Sequence, residues 1–514
     1  MGNQNHQFEN HRLIFGNITK ANDIAGTVTE EQTQMIRDFG MFGMQVPEEY
    51  EGMALNNTQF ARLSEIGGHN DLGVSIFIGA HQSIGFKAIL IMGTKDQKDR
   101  YLADVASGRK IAAFALTEPT MGSDASAVKT KAELQPDGSF IMNGSKIWIS
   151  NGGIAEVFTV FAQVPVTEED GTVKNKMTAF IVERSFGGVT NGAPERKMGI
   201  KASNTTEVYF DNVPIPAENV IGEIGGGFKV AMNVLNSGRF GMGAVLNGTQ
   251  KKLINRAADF AKNRNQFGSK IYKFGAIQEK LARMNAEQYA AEAVAYLVAM
   301  SMDNGAENFH LEAACSKIFA SESAWRTADE TIQTMGGMGY MFDQGVEKIM
   351  RDLRIFRIFE GTNDILRLMI GLSGLQNVGD ELKPVVESVK NVQNRKKMIS
   401  SVNNLIKFKY DQSMKEKGKR SDAVDTLKSL VDPKLQAEAV QVGEAITRFE
   451  VISKKLLQKY NKVKYIVLQM RFEMKSFRKS FTSSSMSNEL LMQRWTFMHL
   501  QPLSVDPLPV SFRF

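Results

Sequence analysis

The chain has 514 residues, 43% hydrophobic and 23% charged, enough for two or three domains and too apolar for a wholly disordered chain. One cysteine, Cys315, excludes an internal disulfide framework, and six scattered histidines with no His/Cys cluster exclude a structural zinc site, so no metal is expected. The net charge of +6 is uneven: residues 389–420 carry ten Lys or Arg against two acids and residues 440–481 ten against three, which leaves −9 for the rest.

No apolar run approaches the roughly 18 residues of a spanning helix, and the longest, Ala88–Met92, reads as core. The first residues are uninformative about targeting: His6 stands where a myristoylation signal needs Ser or Thr, and no Arg- and Ser-rich, acid-poor stretch of the mitochondrial type follows, so either a presequence lies outside this sequence or the protein is not imported. From about 30 to 112 the periodicity is helical, with Met35, Ile36 and Phe39 and then Ile84, Ile89, Leu90 and Ile91. Short β-branched and aromatic runs begin near 113. Pro136-Asp137-Gly138, Asn143-Gly144 and Asp170-Gly171 read as turns between them, which predicts an antiparallel β domain ending near Val220. Helical periodicity then returns, with Ile277, Leu281 and Met284 on one stripe and an Ala-rich stretch over 290–299.

The predicted fold class is thus α+β and multidomain. It comprises an N-terminal helical domain (1–113), a middle β domain (114–222), a C-terminal helical catalytic domain (223–378), a basic helical appendage (379–481) and an irregular tail (482–514). The order is not the βαβ alternation of a doubly wound nucleotide fold. Gly225-Gly226-Gly227-Phe228 lacks dinucleotide-loop spacing and reads as a hinge. In the appendage, Phe449, Ile452, Leu456, Tyr460, Val463, Val467, Met470 and Met474 recur at steps of three and four, an amphipathic helix.

Three segments carry candidate chemistry. In Arg351–Asp364 an acid, Glu360, follows a dense apolar and aromatic run and precedes Gly361. Burial there would raise its proton affinity toward that of a general base at neutral pH, although the same residues also suit a core helix ending in Glu-Gly. Phe114–Asp124 places hydroxyls and Gly122 in a loop beside the first strands, able to offer N–H and O–H donors to a polar ring edge. Lys146–Gly153 adds an indole, Trp148, which can cover an aromatic ring or simply pack in a core.

In this order and on this helix–sheet–helix plan, the three segments resemble the acyl-CoA dehydrogenase family over about residues 30–375. The resemblance implies an FAD enzyme. Phe114, Leu116, Thr117, Gly122, Ser123, Trp148, Ile149 and Ser150 would hold the flavin, with Ser123 also beside the substrate. Arg264 and Phe267, in a stretch similar to the family's R-x-x-F-G segment, would contact FAD across a homodimer interface, Arg264 as the pyrophosphate partner, with Gln278 following in the matching place. Gln333, Gly336 and Gly337 resemble the loop at the adenosine half. Thr362, Asn363 and Asp364 match flavin-contacting positions. Asn236 and Arg239 match the substrate-proximal segment, whose Arg supports the catalytic carboxylate, and Glu360 matches the base, flanked by Phe359 and Gly361.

The implied reaction is α,β-dehydrogenation of an acyl-CoA to a trans-2-enoyl-CoA, the first step of mitochondrial β-oxidation, with electrons passed on to electron-transfer flavoprotein. The runs 197–205 and 354–359, and the appendage, look most like members that take long and very long chains. Ser75 and Gly79 fall on one face of a predicted helix that bounds the acyl tail in the family, where small side chains deepen the pocket, and Phe77 faces elsewhere. By resemblance, the protein is placed on the matrix face of the mitochondrial inner membrane, with basic residues 389–420 against anionic lipid. A complex I assembly scaffold and an acyl-CoA oxidase are the alternatives on the same fold. Some codon choices for residues 495–502, read one base out of frame, would spell a family-like helix, so a shifted frame is expected at the end of the chain.

Overall fold

The computed structural model describes residues 19–168, 170–306, 308–374, 376 and 422–459. The basic segment 389–420, the stripe beyond residue 459 and the tail lie outside these residues. The chain divides into two compact units, Met1–Gly371 and Leu372–Phe514.

The first unit opens with helices α1 (Thr19–Ala25), α2 (Glu30–Asp38), α3 (Asn57–Asn70), α4 (Leu72–Gly79), α5 (Lys87–Met92) and α6 (Lys95–Ala106). Local chemistry sets their starts. Thr29, Asn56 and Thr94 each cap a helix whose third residue is Gln, and the Gln side chain returns the bond to the cap N–H. Between α4 and α5 the chain winds as a π-helix over Ala80–Gly85. The stretch Leu72–Met92 is long and apolar enough to cross a membrane, which a search for an unbroken apolar run misses, but 61% of its most apolar 18-residue window is buried within the protein. His81 pins the π turn, because its Nε2–H donates to the Val105 carbonyl and its Nδ1 accepts from the Ala112 N–H, each at 2.8 Å. Burial between Phe42 and Phe86 pushes its pKa down to about 4, so the ring is neutral.

The sheet follows: β1 (Ala112–Ala115), β2 (Lys131–Leu134), β3 (Phe140–Ser150), β4 (Val157–Thr167), β5 (Val173–Glu183), β6 (Val189–Asn191), β7 (Thr205–Ile215) and β8 (Val220–Ile221). The order is β6-β7-β3-β2-β4-β5-β8, with β1 beside β4. It is mixed rather than wholly antiparallel, because β1 runs parallel to β4 from Ala112 opposite Val157 to Ala115 opposite Val160. The sequence reading missed this: β1 is reached from α6 rather than by a hairpin.

A second correction concerns Asn143-Gly144, which makes a bulge and not a turn, since β3 runs unbroken through it with a register shift against β7. Gly144 adopts φ +155°, and a Cβ there would lie 2.5 Å from Thr130 Oγ1. The close approach of Thr130, just before β2, explains the glycine. Asp170-Gly171 does connect β4 to β5, which pair along their whole length.

Helices close the unit: α7 (Gly227–Asn263), α8 (Gly275–Asp303), α9 (His310–Met335), α10 (Gly337–Tyr340) and α11 (Val346–Leu353). A two-stranded hairpin, β9 (Asn265–Gln266) and β10 (Ser269–Lys270), joins α7 to α8. The glycine run 225–227 is where the sheet gives way to α7, and a Cβ on Gly227 would meet the Met177 and Thr178 backbone at 2.8 Å. Helix α7 is the central post. It lies so close to α3 that Cβ atoms at Gly68 and Gly248 would sit 1.9 Å from the Val245 carbonyl and 1.8 Å from the Glu65 carbonyl. A further helix, α12, runs over 363–374.

In the second unit, α13 (Asp422–Leu430) and α14 (Gln436–Lys459) pack together, with Gly443 against the Val424 backbone. Helix α14 includes the first positions of the stripe read from the sequence.

Candidate active site

A cavity of about 400 Å3 lies in the first unit where the sheet, the π turn and α7 meet the segment after α11. Its sheet-side wall is built from strained backbone. Strand β3 shifts register a second time between Lys146 and Ile149, which throws Trp148 out of the ladder at φ +57°, a conformation costly for a bulky residue. The indole is 64% exposed to the cavity side and solvent, so core packing does not explain the strain. The Ile147 N–H donates to Thr117 O at 3.0 Å and ties this bulge to the loop after β1.

Below the loop sits a buried ion pair. Lys146 Nζ lies 2.8 Å from Glu118 Oε1 and donates to the carbonyls of Phe161 (2.7 Å) and Leu116 (3.3 Å). Glu118 in turn accepts from the N–H groups of Lys129 and Thr130 and from Thr130 Oγ1. Burial pushes the lysine down to about 8. Burial also opposes charge on Glu118, but Lys146 and the Thr130 donors outweigh it and hold the carboxyl below its usual range. The pair fixes the backbone on which Leu116 and Thr117 face the cavity.

The opposite wall carries Glu360. Helix α11 is anchored by Lys348, which bridges Asp352 (2.7 Å) and Asp71 (3.2 Å), and by Asp352, which accepts from the Ile200 N–H at 2.5 Å. Arg351 grips Asp23 of α1 through both terminal nitrogens. A 3-10 turn over Arg354–Arg357 then delivers the chain to Glu360 at φ +52° and Gly361 at φ +95°. The Glu360 carboxylate has one oxygen, Oε2, sealed from solvent with no hydrogen-bond donor, and a Cβ added to Gly238 would lie 3.1 Å from it. Desolvation pushes its pKa up to about 7, with the charges of Arg239 and Lys317 pulling the other way. A carboxyl poised there is half ionised at neutral pH and can take a proton from a weak carbon acid.

Most of the residues singled out in the sequence meet here. Phe114, Leu116, Thr117, Gly122, Ser123, Trp148, Ile149 and Ser150 line one side; Arg239, Phe359, Glu360, Gly361 and Thr362 line the other; Ser75 and Gly79 line it from α4. Phe77 does not: it packs edge-on against Phe42, with centroids 5.6 Å apart. Asn236 is not in the wall but holds Arg239 Nη1 at 2.5 Å. Arg239 Nε donates to the Glu360 main-chain carbonyl at 3.2 Å, so its direct bond is to the backbone and not to the carboxylate. Asn363 is buried away from the cavity on Lys317, Ser321 and Glu322, and Asp364 is exposed beside Thr362.

The remaining FAD positions lie outside this cavity. Arg264 and Gln278 are exposed. Phe267, at the hairpin tip with φ +51°, is 95% exposed. Gln333, Gly336 and Gly337 end α9 and start α10, also exposed. The Lys280–Glu330 ion pair ties the start of α8 to the end of α9, so Gln278 and Gln333 each lie within about a turn of it.

Sequence reasoning missed the deep wall, formed by Met41, Met44, Phe60, Leu63 and Met242, and it missed Lys317. The signal for Lys317 was present. It falls in helical register with Ala313, Ala320 and Ala324, a lysine on an otherwise small, apolar face.

Sequence profiles described as the N-terminal, middle and C-terminal domains of acyl-CoA dehydrogenase match residues 17–109, 113–213 and 225–375. The chain is similar to the very long-chain specific acyl-CoA dehydrogenase, mitochondrial, of Rattus norvegicus, 53% identical over 443 residues that cover 86% of this chain and 66% of the relative. It spans 57–66% of the lengths of the mammalian relatives of that name. Among solved structures it is similar to butyryl-CoA dehydrogenase from Megasphaera elsdenii, with TM-score 0.68, 36% identity and coverage of 72% of this chain and 96% of that one. It is also similar to an acyl-CoA dehydrogenase from Bacillus anthracis complexed with FAD, with TM-score 0.65, 33% identity and coverage of 84% and 76%. The chain belongs to the acyl-CoA dehydrogenase family.

Proposed function

We propose that this protein is an FAD-dependent dehydrogenase of long-chain acyl-CoA thioesters that uses Glu360 as the base. The observation that carries the reading is the half-ionised, donor-free carboxylate facing, across one cavity, a loop and a strained tryptophan suited to a flat polar ring. The cradle fits FAD. Leu116 and Thr117 are set by the Lys146–Glu118 pair, Trp148 offers an indole face, and Ser123 and Ser150 supply hydroxyls. When bound, the flavin supplies the acceptor for the hydride that leaves the β-carbon.

The chain's own residues do the rest. Glu360 removes the α-proton, and its peptide N–H serves the thioester carbonyl, stabilising enolate-like charge. Arg239 and Lys317 hold the turn that carries both groups. The apolar walls exclude water, and Gly79, with open space in front of its Cα, lets an extended acyl tail run on past α4. The product is the trans-2-enoyl-CoA, and the electrons leave to electron-transfer flavoprotein.

Family membership supports a homodimer in which Arg264, Phe267, Gln278, Gln333, Gly336 and Gly337 meet the partner's FAD. An almost wholly exposed Phe267 at a strained hairpin tip suits such a contact. The mitochondrial names of the mammalian relatives support a mitochondrial protein, and the charge of residues 389–420 supports contact with the matrix face of the inner membrane. The test is anaerobic addition of acyl-CoAs of graded length to the purified yellow protein. Hexadecanoyl-CoA should bleach the flavin and butyryl-CoA should not; no bleaching by any chain length would refute the reading.

A further inference from the structure

We propose that Lys317 is a positioning residue for the base: with Arg239 it clamps two successive carbonyls of the Glu360–Gly361 turn and fixes how the carboxylate enters the cavity. The inference rests on the proposed role of Glu360 and extends it to a residue outside the cavity wall.

The geometry is specific. Lys317 is wholly buried in the first third of α9. Its Nζ donates to the Gly361 carbonyl at 2.8 Å and to Asn363 Oδ1 at 2.9 Å. Arg239, from α7, donates to the preceding carbonyl, that of Glu360, at 3.2 Å. A left-handed pair of residues is thus held from two helices by two cations. Such a turn is strained at a non-glycine residue and persists only where its surroundings over-determine it. Asn363 completes the clamp, its amide donating to Ser321 Oγ (3.0 Å) and Glu322 Oε1 (3.1 Å), while Glu322 is itself paired with Arg367. An interior lysine that served only packing would not be aimed at the one turn that carries the acid.

The second consequence is electrostatic. The charges that bear on Glu360 are Arg239 from α7 and Lys317 from α9; behind them, Glu322 acts on Lys317, and His310, at the start of α9, lies within reach of Arg239. Burial pushes Lys317 down to about 8, so it is mostly charged at pH 7 and lowers the proton affinity of the base. Without that charge, Glu360 holds its proton to higher pH.

Two variants separate the clamp from the charge. Lys317→Gln keeps a donor of reduced reach and loses the charge; Lys317→Met loses both. Flavin reduction by hexadecanoyl-CoA is followed from pH 5.5 to 8.5, and thermal unfolding is followed over the same range without substrate. In both variants the acid limb of the rate and the Glu360-dependent slope of the melting midpoint should move up by about half to one pH unit. The Met variant should also lose roughly tenfold in limiting rate as the turn relaxes, while the Gln variant stays within about threefold. If Lys317→Met fails to fold, the Gln variant decides. An acid limb and a melting slope both unmoved in Lys317→Gln would overturn the proposal. Wild type that melts with the expected slope but never bleaches would instead overturn the functional reading and leave the clamp standing.

Discussion

Replacing Glu360 with Gln should stabilise the protein, and by an amount that depends on pH. The side chain keeps its shape, but the charge forced against Gly238 is gone. The carboxyl has a pKa of about 7 in the fold and an ordinary value of 4.5 when free of it. Between those values the folded chain binds more protons than the unfolded one, so wild-type stability falls as pH rises through the window and is lowest above it. A shift of that size corresponds to roughly 3 to 4 kcal/mol as an upper bound, and the attraction of Arg239 and Lys317 is already contained in it. Partial exposure of the residue lowers the expectation to about 2 kcal/mol. Wild type and Glu360→Gln should therefore melt together at pH 4.5 and separate progressively to pH 8, where the variant is the more stable by several degrees. The assay is thermal unfolding followed by tryptophan fluorescence at half-unit intervals. Parallel melting curves, or a variant that gains stability toward acid, would show that the carboxylate is not desolvated and would remove the physical basis for its role as a base.

Other expectations follow from close approaches. At Gly79 an added Cβ would meet nothing within 4 Å, so Gly79→Val should fold normally yet fill part of the slot. Losing room for about two methylenes costs roughly 1.6 kcal/mol, or about tenfold in kcat/KM, for hexadecanoyl-CoA, with shorter chains spared; equal effects at all lengths would place the tail elsewhere. Gly248→Ala, by contrast, drives a methyl to within 1.8 Å of the Glu65 carbonyl. It should cost about 3 kcal/mol or more in a thermal melt, because α3 and α7 must separate.

Much of the architecture was legible because its signals are local. The helical runs through Met35 and Ile36 and through Ile89, the Asp170-Gly171 turn and the stripe through Leu281 and Met284 each follow from residues a few positions apart. What escaped depends on contacts across the fold. Asn143-Gly144 carries a strong hairpin signal, yet Thr130 just before the neighbouring strand β2 and pairing with β7 on both sides make it a bulge. The parallel pairing of β1 with β4 has no local signature. At the site, the sequence motifs supplied parts of the cavity wall, Glu360 and the two sheet-side segments. Of the parts that hold them, Lys317 left a signal as a lysine on an apolar helix face, but what Lys317 and Lys146 do shows only in which carbonyls their ammonium groups reach. The deep wall from Met41 to Leu63 was hidden because it draws on α3 and the loop before it, with no motif.

The most direct measurement is stopped-flow reduction of the bound flavin by hexadecanoyl-CoA without oxygen, comparing wild type with Glu360→Gln. The account predicts rapid loss of the yellow colour in wild type. The variant should still take up the thioester and retain its full absorbance, with reduction slowed by at least about a hundredfold. Bleaching of both proteins at the same rate would show that another group removes the α-proton.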